Sequence, residues 1–295
     1  MSNQDAAAPL MDRAVNQVRD WGLLGQDRPV PHDELLTIAL SVAEEAAELA
    51  ARLRRNGVEV AATKSSPIDI VTEADRATER LIRDRLRELR PDDGFLGEES
   101  GTRHGTSGFT WVVDPIDGTV NYLYGLPNWS VSIAVVAGEP EPGTWRALAG
   151  VVVAPALGET YTATLGGGAH LGDQTLRVRE PVPLDRALVA TGFHYTSLIR
   201  SKQADVIHEL LGRLRDVRRA GGAALDLASV AAGRVDAYFE QGLHPWDQGA
   251  GGLLVREAGG VVTGLDGSGP SYRMVLAGNP GLIADLDTLL LSLGA

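Results

Sequence analysis

Asp114-Pro115-Ile116-Asp117-Gly118-Thr119 sets two carboxylates three residues apart, directly after the apolar run Trp111-Val112-Val113. A short buried-type strand of that kind ends at a sheet edge, where open α/β sheets bind ligands. Pro115 fixes one backbone dihedral and so holds the two acids at a set spacing. Gly118-Thr119 then offers a flexible turn and a helix start, whose free N–H groups suit a phosphate. The plain alternative is an Asx-type turn with both acids in water.

Other acids stand in separate segments. Glu98-Glu99 follows Phe95-Leu96-Gly97, and taken alone reads equally well as a solvated face. Asp247 follows Trp246 and is expected as the N-cap of a helix over 248–258. Asp69 and Asp75 read as cap and first-turn charges of a helix over 72–90. Taken together, Glu98, Asp114, Asp117 and Asp247 form an oxygen-only donor set for hard divalent cations. The chain has no cysteine, and its histidines are scattered without zinc spacing. Magnesium or manganese is therefore favoured over zinc. Two such ions would balance the charge of the four acids and let a phosphate dianion approach a protein of net charge −12.

The absence of cysteine also excludes disulfides and thiolate nucleophiles. The acidic balance and the lack of long basic runs argue against a nucleic-acid partner. No apolar run reaches about 18 residues and no signal-peptide order opens the chain, so neither a membrane partner nor secretion is expected, and the cytoplasm is the expected location. No G-x-S-x-G elbow is present. Gly166 to Gly172 fits no nucleotide loop and reads as a hairpin turn, and His244 reads as a surface or packing residue.

Positioning these acids requires helices and strands in a definite order. Residues 1–30 read as a weakly ordered extension or a short added helix. A helical stripe over 33–55 has Asp33 as its expected N-cap, and the 72–90 helix stops before Pro91. From Phe95 to about Leu176 the pattern is β-rich, with strands expected at 111–113, 131–136, 149–153, 159–164 and 169–171. From Leu188 onward, helices expected over 198–214, 223–232, 248–258 and 282–293 alternate with short apolar strands. The change of pattern predicts two subdomains, 31–180 and 181–295.

Four blocks carry a resemblance. Asp69-Ile70-Val71-Thr72-Glu73-Ala74-Asp75, Gly97-Glu98-Glu99-Ser100, Asp114 to Thr119, and Trp246-Asp247 through Glu257-Ala258-Gly259-Gly260 resemble the inositol monophosphatase family in order and separation. The resemblance implies an α/β (α+β) sandwich of alternating αβαβα layers, with the site between two subdomains. It implies a Mg²⁺-dependent, lithium-sensitive phosphomonoesterase, with two or three Mg²⁺ per site (Mn²⁺ as the substitute) and a homodimer. Carried over residue by residue, Glu98, Asp114 and the Ile116 carbonyl look like one metal-ligand set, and Asp114, Asp117 and Asp247 like another. Glu98 and Thr119 would hold the attacking water. Asp75 would orient Thr119, with Thr72 nearby, and Lys64 matches the family's lysine ahead of the first motif. Asp117, Gly118, Thr119, Ala223, Glu240 and Asp247 look like the substrate contacts. Gly222 departs from the Ser or Thr of many relatives, which weakens the expectation on that side.

The implied substrate is a small phosphorylated polyol, with inositol monophosphate the first expectation. Histidinol phosphate, fructose 1,6-bisphosphate and 3′-phosphoadenosine nucleotides are alternatives on the same site. D-x-D-G-T also evokes an aspartyl nucleophile of the haloacid-dehalogenase type, against which the other three blocks argue. An alternative of another class is a moonlighting binding or regulatory protein.

Overall fold

The structure is a computed structural model that describes residues 32–57, 60–63 and 70–295. The expected extension over 1–30, Lys64 and Asp69 lie outside the described residues. Helix α1 (His32–Arg55) leads through antiparallel strands β1 (Val60–Thr63) and β2 (Ile70–Thr72) to helix α2 (Glu73–Leu89). Strands β3 (Gly94–Gly97), β4 (Gly101–Arg103) and β5 (Phe109–Asp117) precede the short helix α3 (Thr119–Tyr124). Strands β6 (Ser130–Ala137), β7 (Arg146–Ala154), β8 (Glu159–Thr164), β9 (Gly168–Leu171) and β10 (Gln174–Thr175) follow. Beyond them run β11 (Leu188–Thr191), α4 (Ser197–Leu211), β12 (Asp216–Arg218), α5 (Ala223–Ala231) and β13 (Ala237–Glu240). The described chain closes with α6 (Pro245–Glu257), β14 (Val261–Thr263), β15 (Val275–Gly278) and α7 (Pro280–Ser292).

Two sheets dominate. The first is eight-stranded, in the order β10-β9-β8-β7-β6-β5-β3-β4, and the second five-stranded, in the order β12-β11-β13-β15-β14. Alternation along a strand sends successive side chains to opposite faces. Trp111, Val113, Ile133 and Val151 therefore pack against Leu35, Ala39, Ile82 and Leu86 of α1 and α2. Val112, Ala134 and Val152 point the other way, into a core shared with Leu227 of α5 and Leu253 of α6. Ala190 and Tyr238 of the second sheet close that core from its far side. Val189 and Phe239 face outward onto Leu210 of α4 and Leu286 of α7. The layers are thus helix, sheet, helix, sheet, helix, which is the α/β sandwich the resemblance implies.

Several boundaries differ from those expected, each for a local reason. Helix α1 already includes His32, so Asp33 lies in its first turn rather than at the N-cap, where its charge still suits the helix dipole. Helix α4 ends at Leu211, and Leu214 reaches the same apolar cluster from the turn beyond it. Helix α6 begins at Pro245, three residues before the expected 248, because proline needs no N–H partner at a first helical position. The Gly166–Gly167 turn joins β8 to β9 as the hairpin expected, and the Glu257 carboxylate accepts from the Gly166 and Gly168 N–H groups. No helix among the described residues is long and apolar enough to cross a membrane.

Helices α5 and α6 form the central layer, and they approach closely through Gly251. A Cβ added there would sit 2.7 Å from the Leu227 Cβ and 3.3 Å from the Ala224 carbonyl oxygen. At Gly252 the added Cβ would meet only the tip of Arg256, at 3.4 Å. Gly251→Ala is expected to lose about 1–3 kcal/mol by overpacking, whereas Gly252→Ala is neutral or slightly stabilising through helix propensity. Paired thermal denaturation checks this; equal effects of the two substitutions would contradict the close approach.

Candidate metal centre

Strand β5 builds the centre by breaking its own register. It pairs with β3 in parallel and with β6 antiparallel, Asp114 opposite Ser132 and Asp117 opposite Ser130. Three residue steps on β5 thus span two on β6, which is a bulge. In a regular strand, residues three apart point to opposite faces. The extra residue returns Asp117 to the side of Asp114. Pro115 fits the bulge because it has no N–H to donate to a ladder. The expected Asx-type turn is present, the Asp114 Oδ1 accepting from the Ile116 N–H at 3.0 Å. The acids are nonetheless buried, with Asp114 at 2% and Asp117 at 6% exposure, so the solvated form of that turn does not occur.

The third acid comes from the second half of the chain. Asp247 sits in the first turn of α6, its Oδ2 accepting from the His244 N–H at 2.6 Å. That position corrects the expected N-cap: His244 occupies the cap, and Asp247 reaches back to it. One carboxylate oxygen from each of Asp114, Asp117 and Asp247 lies within 4.8 Å of the other two. Glu98, in the turn after β3, stands beside Asp114 and acts on all three aspartates by charge. Its backbone N–H donates to the Val113 carbonyl at 3.2 Å, which ties this turn to β5.

Crowding of like charges shows in the proton affinities. Burial first, then the charges of Glu98, Asp117 and Asp247, push the Asp114 carboxyl well above the usual carboxylate range. Burial and then Glu98 and Asp117 raise Asp247 likewise. Burial pushes Asp117 up to about 6, although the backbone N–H groups of Ala223 and Ala224 hold it down. Such a cluster, oxygen-only and short of counter-charge, fits a hard divalent cation.

Ala223 and Ala224 have a role that sequence reasoning missed. Their N–H groups at the start of α5 donate to Asp117 Oδ1 and Oδ2, each at 3.0 Å. Ala223, expected as a substrate contact, therefore positions Asp117. Gly222 allows the approach, since a Cβ there would lie 2.9 Å from Asp117 Oδ2. Asn121 of α3 secures the same loop by donating to the Ala220 and Asn128 carbonyls at 2.8 and 2.7 Å.

Thr119 begins α3, and Gly118 before it takes φ 85° with the Asn128 carbonyl 2.8 Å from where a Cβ would stand. The Thr119 hydroxyl lies 3.3 Å from Asp75 Oδ1 and 3.1 Å from the Ile116 carbonyl oxygen. Asp75 is fully buried and accepts from the Thr72 N–H at 2.8 Å, which closes a capping box with Thr72 at the start of α2. Glu79, one turn along α2, was also missed. It is 2% exposed, and its Oε2 accepts from the Glu99 N–H at 2.8 Å, which steadies the turn that presents Glu98. The available signal was a charge on the same helix stripe as Ile82 and Leu86.

Glu240 ends β13 on the side of the acid cluster. Its Oε2 accepts from the Tyr238 hydroxyl at 2.6 Å, and burial pushes its carboxyl up to about 7. Asp226 of α5, unnoticed in the sequence, is buried nearby and raised well above its ordinary range by burial and then by Glu240.

Comparison with known proteins bears on this arrangement. The sequence profile of the inositol monophosphatase family matches residues 32–291. The chain is 44% identical over 269 residues to inositol-1-monophosphatase SuhB of Mycobacterium tuberculosis, covering 83% of this chain and 91% of that protein. It is 41% identical over 255 residues to Nus factor SuhB of Escherichia coli K12, covering 84% and 92%. The crystal structure of extragenic suppressor protein suhB from Bartonella henselae superposes with a TM-score of 0.80 at 34% identity, covering 87% of this chain and 98% of that one.

Proposed function

From the premise that this chain belongs to the inositol monophosphatase family, we propose that it is a Mg²⁺-dependent phosphomonoesterase acting on a small polyol phosphate, inositol monophosphate first among them. The observation that carries the reading is the convergence of Asp114, Asp117 and Asp247 within 4.8 Å, beside Glu98. Family membership and the named relatives support a phosphatase that takes a phosphorylated small molecule. The ion, the substrate, the residue roles, a subdomain boundary near residue 180, a homodimer and a cytoplasmic location belong to the proposal.

When bound, divalent cations polarise the phosphoryl group, make a water nucleophilic and neutralise the leaving alkoxide. Glu98, Asp114 and the Ile116 carbonyl would hold one ion, and Asp114, Asp117 and Asp247 would hold another. The Thr119 hydroxyl, with Asp75 behind it at 3.3 Å, orients the attacking water together with Glu98. Thr72 fixes Asp75 in turn. The Gly118 and Thr119 backbone N–H groups face the phosphate. No side chain needs to become phosphorylated, because water is the nucleophile.

Glu240 accepts hydrogen bonds from substrate hydroxyls. Glu240→Gln is expected to raise KM for polyol phosphates about tenfold, since one charge-assisted hydrogen bond contributes on the order of 1.5 kcal/mol. The Mg²⁺ concentration for half-maximal rate stays as in the wild type. Steady-state kinetics on several phosphate esters read both quantities, and an unchanged substrate profile would remove Glu240 from the polyol contacts. The first experiment is a phosphate-release panel of polyol, sugar and nucleoside monophosphates with and without Mg²⁺. No Mg²⁺-dependent release from any of them would overturn the reading.

The likeness to a protein named a Nus factor supports a second role, binding to a macromolecular partner, alongside catalysis. A variant without phosphatase activity separates the two roles, because partner binding survives in it.

A further inference from the structure

Ala190 of β11 and Tyr238 of β13 are register partners in parallel strands, and both side chains enter the core between the two sheets. Two residues further along each chain stand Gly192 and Glu240, and alternation sends both toward that same face. They meet at the edge of a cavity of about 650 Å³ that both help to line. Where Ala190 presents a methyl group, Gly192 presents nothing. A Cβ there would overlap the carbon and both oxygens of the Glu240 carboxyl group.

Backbone geometry does not explain this glycine. Gly242, in the facing loop, takes φ 87°, a value that favours glycine, whereas Gly192 does not have a positive φ. The backbone at 192 would accept an ordinary side chain. What keeps one out is the place of the Glu240 carboxylate.

Tyr238 holds the same carboxylate from another side. Its ring is fully buried beside Leu227 and Leu253 in the core, and its hydroxyl donates to Glu240 Oε2 at 2.6 Å. Burial and then the charge of Glu240 push the Tyr238 phenol well above its ordinary range, so it stays the donor. The bond favours the ionised Glu240 against burial, and the charge of Arg219 acts in the same sense. Glu240 Oε1 makes no hydrogen bond with a described residue. One oxygen is thus anchored and the other is left to accept. Ordering a flexible acid at the moment of binding costs affinity, and here the order exists beforehand.

We propose that Gly192 and Tyr238 are positioning residues that set the hydroxyl selectivity of the site: the bare Cα at 192 and the Tyr238 hydroxyl together fix the Glu240 carboxylate, with Oε1 presented to a substrate hydroxyl. The inference rests on the reading of Glu240 as the acceptor of polyol hydroxyls. It adds that this acceptor is fixed before substrate arrives, by two residues that act through it.

Selectivity is read as the ratio of kcat/KM for inositol monophosphate to that for phenyl phosphate, whose leaving group has no other hydroxyl, both in Mg²⁺. Tyr238→Phe keeps the buried ring and is expected to lower that ratio about fivefold, through KM for inositol monophosphate. Added to Glu240→Gln, it should lower the ratio by less than about a further twofold, because both substitutions act on one contact. Gly192→Ala should lower the ratio about tenfold. Glu240→Asp in that background shortens the acid by one methylene and should restore at least about threefold of the loss. Additive losses for Tyr238→Phe and Glu240→Gln, or a wild-type ratio in Gly192→Ala, would overturn the proposal and leave the phosphatase reading standing. If neither ester releases phosphate, the phosphatase reading fails by itself, and a crystal structure of Gly192→Ala decides the positioning: a Glu240 carboxylate displaced from the Tyr238 hydroxyl supports it, and one still in place overturns it.

Discussion

Replacing Asp117 by asparagine is expected to lower the proposed Mg²⁺-dependent phosphate release by at least about 10³-fold, because the substitution would remove a charge from the proposed position of the divalent cations. Asp117 has two duties, and the variant separates them. As a metal-ligand candidate it faces Asp114 and Asp247. As an acceptor it receives the Ala223 and Ala224 N–H groups at 3.0 Å and the Ser130 hydroxyl at 3.4 Å. Asparagine keeps one acceptor oxygen and removes a buried negative charge that repels Glu98, so these effects oppose each other. The metal-free variant is therefore expected to melt within a few degrees of the metal-free wild type, with an unchanged circular-dichroism spectrum. Mg²⁺ then stabilises the wild type but not the variant. Near-wild-type turnover in Asp117→Asn would sink the assignment, and a collapsed melting temperature would show that packing outweighs charge at this residue.

The second large effect is the pH dependence of stability, and its sign depends on metal. For Asp117 the folded carboxyl rises from the ordinary 3.8 to about 6, and for Glu240 from 4.5 to about 7. Asp114, Asp247 and Asp226 shift in the same direction. The folded, metal-free protein therefore binds more protons than the unfolded chain between about pH 4 and pH 7. These groups favour the fold fully below their unfolded values, and that contribution is lost as pH rises through the folded ones. In chelator, the melting temperature should fall by several degrees between pH 5 and pH 8, as shifts of this size correspond to on the order of 3 kcal/mol each. Divalent cations bind the deprotonated carboxylates, so the stabilisation they add grows over the same interval. Thermal melts in chelator and in saturating Mg²⁺ read the difference directly. Parallel curves in the two conditions would show that the raised acids and the cation site are separate.

Much of the centre was legible because its chemistry is local in sequence. Asp114, Asp117 and Thr119 share one hexapeptide, whereas the cap of α2 is Thr72 and not the expected Asp69. The layered fold was legible in the resemblance of the four blocks. What escaped depends on distant approach. Nothing near Asp117 in the chain announces that its hydrogen-bond donors lie 106 and 107 residues away. The polarity of Glu79 and Asp226 was visible, but each sits among helix formers, and only packing reveals a buried acceptor. Asp247 was placed at a cap because the helix start was read three residues late, at Gln248 instead of Pro245.

The bulge in β5 has a consequence for how this segment can vary. Which face a strand residue occupies is a matter of parity, and Asp114 and Asp117 share a face only because an extra residue intervenes opposite Ser132 and Ser130. Changes of side chain at Pro115 or Ile116 leave that count intact. Loss or gain of one residue between the acids would reverse the parity and turn one carboxylate into the apolar cluster where Ile116 packs with Tyr122 and Trp129. The segment should therefore tolerate substitution far better than a change in length.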